Sequence, residues 1–448
     1  MIREIARLVT GLKLDDLTPM ARERLELCLL ANLSVGVAGV PYCRLPVPIS
    51  PGGRYPLLSG GGASDARAAA FYNAAVMHAR TQDDFDPIGN LHAGTVIIPA
   101  LMAVAEDTAL SGKQFLEAIA AGYMVAIGIS RFLSPRTTPR GIRSTGYYAP
   151  FGATAAVARA RGLDATLTGH ALALTTVFAG GTTQTWLDGS DEWQLHVANA
   201  AETGIKAVEL ALAGVLGGEH ALDGPAGFHA SLLNERVSFD MIAADFDPSR
   251  ALEESVIKRY PVSGICQSVV LAAERVREQI VDPAAIARIK VEMNAFEMGY
   301  PGTLNKGPVF RAFGERLMSA PFCASAVIAR GRLQFPDFHG ATDPVRDRLL
   351  PVVDVVADKT RPMLSAKVIV TMQNGRILTG ETRDSRAEVR LDWLTVADWG
   401  KALWQEGGRE DSAFKRCAEA VRSLHKASQV ELFLEQDGLF PKAERVHP

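Results

Sequence analysis

Three carboxylates and an imidazole are concentrated in one short stretch of the chain, residues 81–95. Asp83, Asp84 and Asp86 are followed by His92, and a proline, a glycine and an asparagine between them supply turn chemistry. Apolar helical patterns flank the stretch, so burying it is costly unless its polar groups are paired or used. Because irregular polar segments carry function more often than core helices do, we predict an active-site loop here. A surface loop whose aspartates cap the next helix is the alternative.

Asp84, Asp86 and His92 could in principle hold a divalent metal ion. No second acidic cluster in the sequence completes a coordination shell, so we expect no metal. The sequence also has no G-x-G-x-x-G after a strand, no Walker A motif, no G-x-S-x-G and no H-E-x-x-H. These absences argue against a dinucleotide cofactor.

Successive helices must position this loop. Thr18-Pro19 places an N-cap before a proline, which predicts a long helix to about Gly39, and Asp65 caps the helix that precedes the loop. Further helices are predicted at about 95–107, 112–132, 149–161, 165–178 and 195–216. With no strand pattern between them, they indicate an all-α domain of stacked helices.

The pattern changes after about Asp247. Residues 286–293 alternate like a strand, and residues 366–379 form two β-rich runs about an Asn-Gly turn, which predicts a hairpin. A helical pattern returns near the C-terminus. The sequence therefore predicts a mostly α fold, with an all-helical large domain from residues 1–255 and 397–448 and a smaller α+β domain with antiparallel strands from residues 256–396.

Composition narrows the class of protein. A chain of 448 residues, 48% hydrophobic and 22% charged, is typical of a soluble globular enzyme with two domains. The net charge of −3 argues against nucleic acid or an anionic membrane as the main partner. Five scattered cysteines without C-x-x-C spacing fit reduced thiols. With no signal-peptide pattern and no apolar run of the roughly 20 residues that a membrane span needs, we predict a cytoplasmic protein without a membrane partner.

Four stretches together resemble motifs of the MmgE/PrpD family, which includes 2-methylcitrate dehydratase, aconitate decarboxylase and iminodisuccinate epimerase. The first, with D-F-D followed by H-A-G-T-V-I-I-P-A, resembles the family's D-[FY]-D-D-T…H-P-[GS]-x-x-[VIL]-x-P-A segment. The four stretches are Asp84–Ala100, Gly146–Leu163, Leu195–Gly204 and Lys258–Pro261. The resemblance implies a helical domain built from both chain ends, a small α+β lid over a cleft, no cofactor and a homodimer.

The chain also departs from the family's motifs. The threonine that follows the Asp pair in the dehydratases and decarboxylases is replaced by Pro87-Ile88. A histidine before the glycine-rich turn corresponds to Arg143, and the lysine of K-x-L-H corresponds to Trp193. The R-[YW]-x-H segment becomes Gly264–Gln267. Much of the polar apparatus that serves a tricarboxylate or a leaving hydroxyl is therefore altered.

Four residues are our catalytic candidates. The family's reactions all touch the carbon beside a carboxylate, which requires a base and groups that stabilise an enolate-like charge. His92 is the candidate base, Lys258 or a tyrosine such as Tyr148 serves the opposite face, and Asp84 supports the loop. The alternatives are a helix-capping His92, a solvated Lys258 and a tyrosine packed between helices.

Five further residues are our candidates for substrate binding. Arg143 and Arg259 would hold carboxylates, since a guanidinium binds them bidentately. The other three are Asp86, His196 and Gln267, of which His196 could instead be structural. Arg143 could instead pair with Asp84 or Asp86.

The loss of dehydratase-type residues leads us to predict an isomerase: an iminodisuccinate-epimerase-like enzyme that moves the α-proton of an amino dicarboxylate by a two-base route. The alternative is a lyase, either a 2-methylcitrate or citrate dehydratase or a cis-aconitate decarboxylase. A third possibility is an inactive family member that acts as a binding or assembly protein. The substrate would be a small di- or tricarboxylate in each enzymatic case.

Overall fold

Helices dominate the architecture of the computed structural model, which describes residues 1–307, 310–340, 342–389, 391–430 and 439–440. The first eleven helices are α1 Ile2–Gly11, α2 Pro19–Gly39, α3 Ala66–His78, α4 Gly94–Ala105, α5 Gly112–Thr137, α6 Ser144–Ala160, α7 Ala165–Thr175, α8 Thr185–Asp188, α9 Glu192–Leu212, α10 Phe228–Leu233 and α11 Pro248–Glu253. The later ones are α12 Cys266–Arg277, α13 Ala295–Met298, α14 Phe313–Met318, α15 Ala320–Arg330, α16 Pro344–Leu349, α17 Ser385–Glu388, α18 Trp393–Glu406 and α19 Asp411–Ser423. The mostly α prediction is thereby confirmed.

Strands form two short pairings and one larger sheet. They are β1 Tyr55–Pro56, β2 Gly62–Ala63, β3 Asp84–Phe85, β4 Val256–Ile257, β5 Ile286–Asn294, β6 Val353–Asp358, β7 Ala366–Met372 and β8 Ile377–Thr382. The larger sheet has the order β6-β5-β7-β8, and the predicted hairpin is its antiparallel pair of β7 and β8. The predicted antiparallel strands are confirmed by the pairs β5–β7 and β7–β8, and β5 and β6 in addition run parallel. Parallel neighbours need a long crossover, here supplied by the helices between them.

Most buried apolar side chains of the described residues belong to two large clusters, and two small clusters accompany them. One joins the helices of the first half to the C-terminal helices through residues such as Trp404 and Phe414. The other fills the space between the sheet and the helices α12 and α15, and it also receives Trp186 and Trp193 from the helical half. The predicted division into a helical body and a lid, with its boundaries, stays a prediction.

Two helical segments, Pro19–Tyr42 and Gly112–Arg140, are long and apolar enough to cross a membrane by length and composition. Their most apolar windows are 78% and 94% buried within the protein, as expected for core helices. All five cysteines are free. The predicted homodimer, the cytoplasmic location and the lack of a membrane partner stay predictions.

Candidate active site

The acidic loop after α3 is joined to the start of the lid by a two-residue antiparallel pairing. In this pairing β3 lies against β4, with Asp84 opposite Ile257. The residue before β3 is Asp83 and the residue after β4 is Lys258, so antiparallel pairing brings these two side chains to the same end. The contact that sequence reasoning placed between loop and lysine is therefore built by the backbone.

The backbone of the loop is strained at two positions. Thr81 and Asn90 have φ angles of 50° and 48°, in the left-handed region that non-glycine residues seldom adopt. Each such residue costs about 1–2 kcal/mol. The Thr81 carbonyl is oriented so that it accepts a hydrogen bond from the ammonium group of Lys258. Strain of this kind is typical of functional sites.

Asp83 is the carboxylate on which the site converges. Its Oδ1 lies 3.2 Å from Nζ of Lys258, and its Oδ2 lies 2.9 Å from Nδ1 of His92. Nδ1 of His78 lies 3.1 Å from both of its oxygens. One carboxylate therefore orients an ammonium group and two imidazoles at once.

Burial and charge determine the protonation of this cluster. Burial raises the pKa of Asp83, but contacts with His78, Lys258 and His92 outweigh it and hold that pKa well below its usual range. Burial lowers the pKa of Lys258, and the Asp83 carboxylate opposes that shift. Burial also lowers the pKa of His92 to about 3, so His92 is neutral at physiological pH. The cluster is an ionised carboxylate with neutral imidazoles around it.

His92 is oriented to present one ring nitrogen to the cavity. Its Nδ1 faces Asp83 and also lies 3.2 Å from the carbonyl oxygen of Asp84. A proton on Nδ1 satisfies both acceptors and leaves the lone pair on Nε2. The His78 ring packs against it with a centroid distance of 4.7 Å. A neutral His92 held in this way can accept a proton from a substrate or donate a hydrogen bond after protonation.

These groups line a cavity to which both the helical half of the chain and the predicted lid contribute residues. The cavity has a volume of about 40 Å³. Its apolar wall is formed by Phe85, Pro87, Trp186, Ile265, Phe296, Met318, Met363 and Leu364. Its polar lining comprises Thr81, His78, Asn90, His92, Arg143, Lys258, Ser263, Glu297 and Tyr300. A groove of about 600 Å³ lies beside it and shares Phe296 and Tyr300 with the cavity.

Arg143 faces the cavity without a carboxylate partner in the part of the chain that the structure describes. Its side chain is buried, and its Nε has no hydrogen-bond partner there. The guanidinium carbon lies 5.7 Å from the centroid of the Trp186 ring. The alternative that Arg143 pairs with an aspartate of the loop is wrong, because Asp86 pairs with Arg131 instead. A buried guanidinium without an ion-pair partner among the described residues has the charge and geometry to bind an anion, and the predicted role of Arg143 in substrate binding stays a prediction.

Three of the predicted residues on the loop and α6 lie outside the cavity lining. Asp84 points into the helical body, where Asn32 Nδ2 and the Tyr123 hydroxyl donate to it at 2.7 and 2.9 Å. Asp86 accepts hydrogen bonds from Arg131 and from the backbone of the loop turn. The Tyr148 hydroxyl lies 2.6 Å from Oγ1 of Thr137 in the core. Their geometry assigns them to holding the loop and α6 rather than to touching a substrate.

The remaining three predicted residues also lie elsewhere. Arg259 is exposed and stacks on the ring of Tyr260. Gln267 uses its amide to hold the backbone of the Tyr-Pro turn, at 3.1 Å from Tyr260 N and 2.9 Å from Tyr260 O. The ring of His196 is half-buried against Gly181, and burial lowers its pKa to about 4. Direct contact of these residues with a substrate stays a prediction that the geometry does not support.

Sequence reasoning missed four residues of the site. His78 ends α3, and the residues around it have the pattern of a core helix. Asp83 was recognised as acidic but not as the centre of the site. Trp186 and Glu297 lie on four-residue helices, which leave no periodic signal. Trp193, at the position of the family's lysine, packs edge-on against His78 with a centroid distance of 5.3 Å. The tryptophan at the position of the family's lysine therefore supports the His78 ring with an apolar surface.

His78, Asp83 and His92 could together bind a metal ion, since their ligand atoms lie within 4.8 Å of one another. Divalent transition metals accept this donor set. The same carboxylate already contacts the ammonium of Lys258, however, and a metal ion would have to share Asp83 with that cation. The expectation of no metal stays a prediction.

Comparison with known proteins agrees with the resemblance of the motifs. Human cis-aconitate decarboxylase is 25% identical over 368 residues, which cover 78% of this chain and 70% of that protein. The mouse cis-aconitate decarboxylase is 25% identical over 375 residues, with 80% and 74% covered. The cis-aconitate decarboxylase-like protein oryM of Aspergillus oryzae is 22% identical over 404 residues, with 83% of each chain covered. These relatives lend no support to the predicted epimerase and favour the lyase alternative.

The family itself is shown by a match to a family model. A model of the MmgE/PrpD N-terminal domain matches residues 3–240, more than half of the chain and the whole of the acidic loop. The match extends over α1 to α10, the helices that carry His78, His92 and Arg143 or flank them. The chain belongs to the MmgE/PrpD family.

Proposed function

We propose that this protein is a lyase that removes carbon dioxide from a small unsaturated polycarboxylic acid, and that cis-aconitate is a substrate. The observation that carries the proposal is the buried guanidinium of Arg143, which faces a largely apolar cavity with no carboxylate partner among the described residues. The likeness to cis-aconitate decarboxylases supports the choice of substrate class.

A substrate carboxylate supplies the counter-charge that Arg143 lacks. A guanidinium donates two parallel N–H bonds to a carboxylate, a geometry that a lysine cannot reproduce. The Trp186 ring beside the guanidinium restricts its orientation and keeps water away from one side. A carboxylate that is retained in the product binds at Arg143.

The chemistry suits an apolar chamber. In cis-aconitate one carboxylate is attached to a methylene group next to the carbon–carbon double bond. When it leaves as carbon dioxide, its bonding pair forms a new double bond, and the displaced π pair moves to the far carbon, beside another carboxylate. That carbon then takes up one proton, which completes the balance. Loss of the leaving carboxylate's charge is favoured where water is excluded.

In this proposal the ammonium of Lys258 stabilises the negative charge that develops during this step, and His92 does so once its Nε2 is protonated. Both residues line the cavity, and Asp83 fixes their orientation. A fixed donor aimed at developing charge typically contributes about 10²–10³ in kcat. The sequence predicted a base role for His92 and a role on the opposite face for Lys258, and both roles stay predictions.

In this proposal the predicted lid opens when a substrate enters. The cavity of about 40 Å³ is far smaller than ligand pockets, which have volumes of about 300–1,000 Å³. The groove of about 600 Å³ beside it is separated from it by the segment of α13 and Tyr300. Movement of α13 would join the two spaces, and its return would exclude water from the reaction.

The test is incubation with cis-aconitate in deuterated water, followed by proton NMR and by measurement of released carbon dioxide. We expect a vinylic product with one deuterium at the carbon that took up the proton. His92→Gln should lower kcat by about 10²-fold or more, while the exposed His220→Gln should leave it unchanged. Absence of carbon dioxide from cis-aconitate would contradict the proposal.

An epimerase is the second candidate, because several groups that can exchange protons line the cavity. His92 belongs to the acidic loop, and Lys258, Glu297 and Tyr300 belong to the predicted lid. Such an arrangement could remove an α-proton of an amino dicarboxylate on one face and return it on the other. Iminodisuccinate in deuterated water would then gain label at its α-carbon without release of carbon dioxide. A dehydratase would instead produce enediacid absorbance from a hydroxy tricarboxylate.

A further inference from the structure

One acidic side chain of the predicted lid, that of Glu297, lines the cavity. Glu297 lies on α13, directly after β5, and its side chain is fully buried. Asn294 fixes the start of this short helix, since its Oδ1 accepts from Phe296 N at 2.9 Å and its Nδ2 donates to Arg361 O at 2.7 Å. Glu297 is therefore held in place rather than free to reach solvent.

The two oxygens of Glu297 have different surroundings. Oε1 accepts a hydrogen bond from the backbone N–H of Leu364 at 2.8 Å. Oε2 is buried and has no hydrogen-bond partner within the described ranges. An unpaired buried oxygen costs free energy, so its retention beside a substrate cavity needs an explanation.

The backbone that supplies the Leu364 donor is strained. Leu364 has a φ angle of 59°, which a leucine seldom adopts, and its carbonyl accepts a hydrogen bond from Ser385 N at 2.8 Å. The strained turn is thus anchored on one side and directs its N–H at Glu297 on the other. The strained residue, Leu364, is thus the residue whose N–H orients the carboxyl group of Glu297.

Glu297 carries a proton at neutral pH. No cation of the described chain forms an ion pair with it, and burial raises its pKa to about 8, against a smaller opposing effect of the Leu364 hydrogen bond. Because Oε1 is already an acceptor, the proton resides on Oε2, the unpaired atom. The cavity therefore has a carboxylic acid on its lid side.

We propose that Glu297 is the acid that delivers a proton to the substrate carbon from the α13 side of the cavity. The proposal rests on the decarboxylation proposed above. After carbon dioxide has left, the electron pair on the far carbon forms a C–H bond with the Oε2 proton, and the O–H bonding pair stays on Oε2. Glu297 becomes a carboxylate, which takes a proton from water when the lid opens and product leaves.

The matched variant is Glu297→Gln, because its amide oxygen still accepts the Leu364 hydrogen bond while the acidic proton is lost. We expect kcat on cis-aconitate to fall by about 10²-fold or more with little change in KM, and the loss of rate near pH 8 to disappear. Glu297→Asp should restore part of the rate. Glu278→Gln, at an exposed lid position, is the control without effect. A Glu297→Gln enzyme within threefold of the unmodified rate would overturn the proposal.

A second measurement does not depend on turnover. Infrared difference spectra should show a protonated carboxyl band at pH 7 that titrates near pH 8, shifts when succinate binds and is missing in Glu297→Gln. Failure of the band to appear, or to move with succinate, would overturn the assignment of Glu297. If the protein releases no carbon dioxide from cis-aconitate while the band behaves as described, the decarboxylation fails and the lid-side acid is supported.

Discussion

Nζ of Lys258 lies 3.2 Å from Oδ1 of Asp83, and neither side chain reaches solvent. Removal of one partner of a buried ion pair leaves the other charge uncompensated. This pair therefore links the stability of the fold to the chemistry of the site.

Replacement of Asp83 by asparagine should reveal that link. We expect the free energy of unfolding in urea to fall by about 3–5 kcal/mol, since Lys258 would be left without its carboxylate. The double variant Asp83→Asn with Lys258→Met should regain most of the stability but none of the activity. Arg3→Ala, which breaks an exposed pair with Glu219, should cost at most about 1 kcal/mol. An Asp83→Asn protein as stable as the unmodified one would contradict the central role of the pair.

Arg143 should show the opposite relation between stability and activity. Because no described carboxylate depends on it, Arg143→Met should not lower the free energy of unfolding, whereas KM for cis-aconitate should rise at least about tenfold. The KM of Arg143→Lys should lie between the KM of the unmodified protein and that of Arg143→Met, since an ammonium lacks the planar fork of a guanidinium. Arg259→Met is the control, because Arg259 is exposed. If Arg259→Met raised KM as strongly, the sequence prediction for Arg259 would be right.

Asp84 provides a test in pH. Burial raises its pKa to about 6, above the ordinary 3.8, despite hydrogen bonds from Asn32 and Tyr123. Between about pH 4 and pH 6 the unfolded chain therefore binds fewer protons than the folded protein. The free energy of unfolding should fall by up to about 3 kcal/mol as the pH rises through that range. Asp84→Asn should remove this dependence and leave kcat within tenfold, whereas the exposed Asp240→Asn should change neither. Comparison of urea unfolding at pH 4 and pH 7 measures the difference. A kcat loss as large as that of Asp83→Asn would restore Asp84 to a direct role.

Metal removal should leave the activity unchanged. The ammonium of Lys258 already supplies positive charge to Asp83, the carboxylate of the His78–Asp83–His92 group. Exhaustive dialysis against a chelator, followed by assay with cis-aconitate, is the measurement. Activity that is lost on dialysis and restored by Zn²⁺ or Mn²⁺ would show that the two histidines and Asp83 hold a metal.

Sequence signals predicted those elements of the fold whose hydrogen bonds join residues close together in the chain. The Thr18 hydroxyl accepts from Ala21 N at 3.0 Å, and Asp65 accepts from Arg67 N at 2.6 Å, as expected of N-caps. The Asn-Gly turn likewise fixed the register of β7 and β8. Strand β6 was missed because its pairing partner is distant in sequence and its alternation is weak at the sheet edge.

The site was predictable only in part. His92, Lys258 and Arg143 could be identified from motifs, but the choice between Asp83 and Asp84 depends on which face of a strand each occupies. Successive side chains in a strand point to opposite sides. A shift of one residue therefore exchanges Asp84, which points into the core, for Asp83, which contacts His92 and Lys258. Glu297 depends on a tertiary contact with Leu364 that no local pattern encodes.

The two-residue pairing of β3 with β4 has a consequence for how the protein matures. Lys258 and Asp83 are separated by 175 positions along the chain, and their hydrogen bond forms only after both segments have docked. Contacts of such sequence separation form late, because the loop between them must first be closed. In a refolding experiment, far-ultraviolet circular dichroism should therefore recover before enzymatic competence, and the delay would report the docking of the lid onto the body.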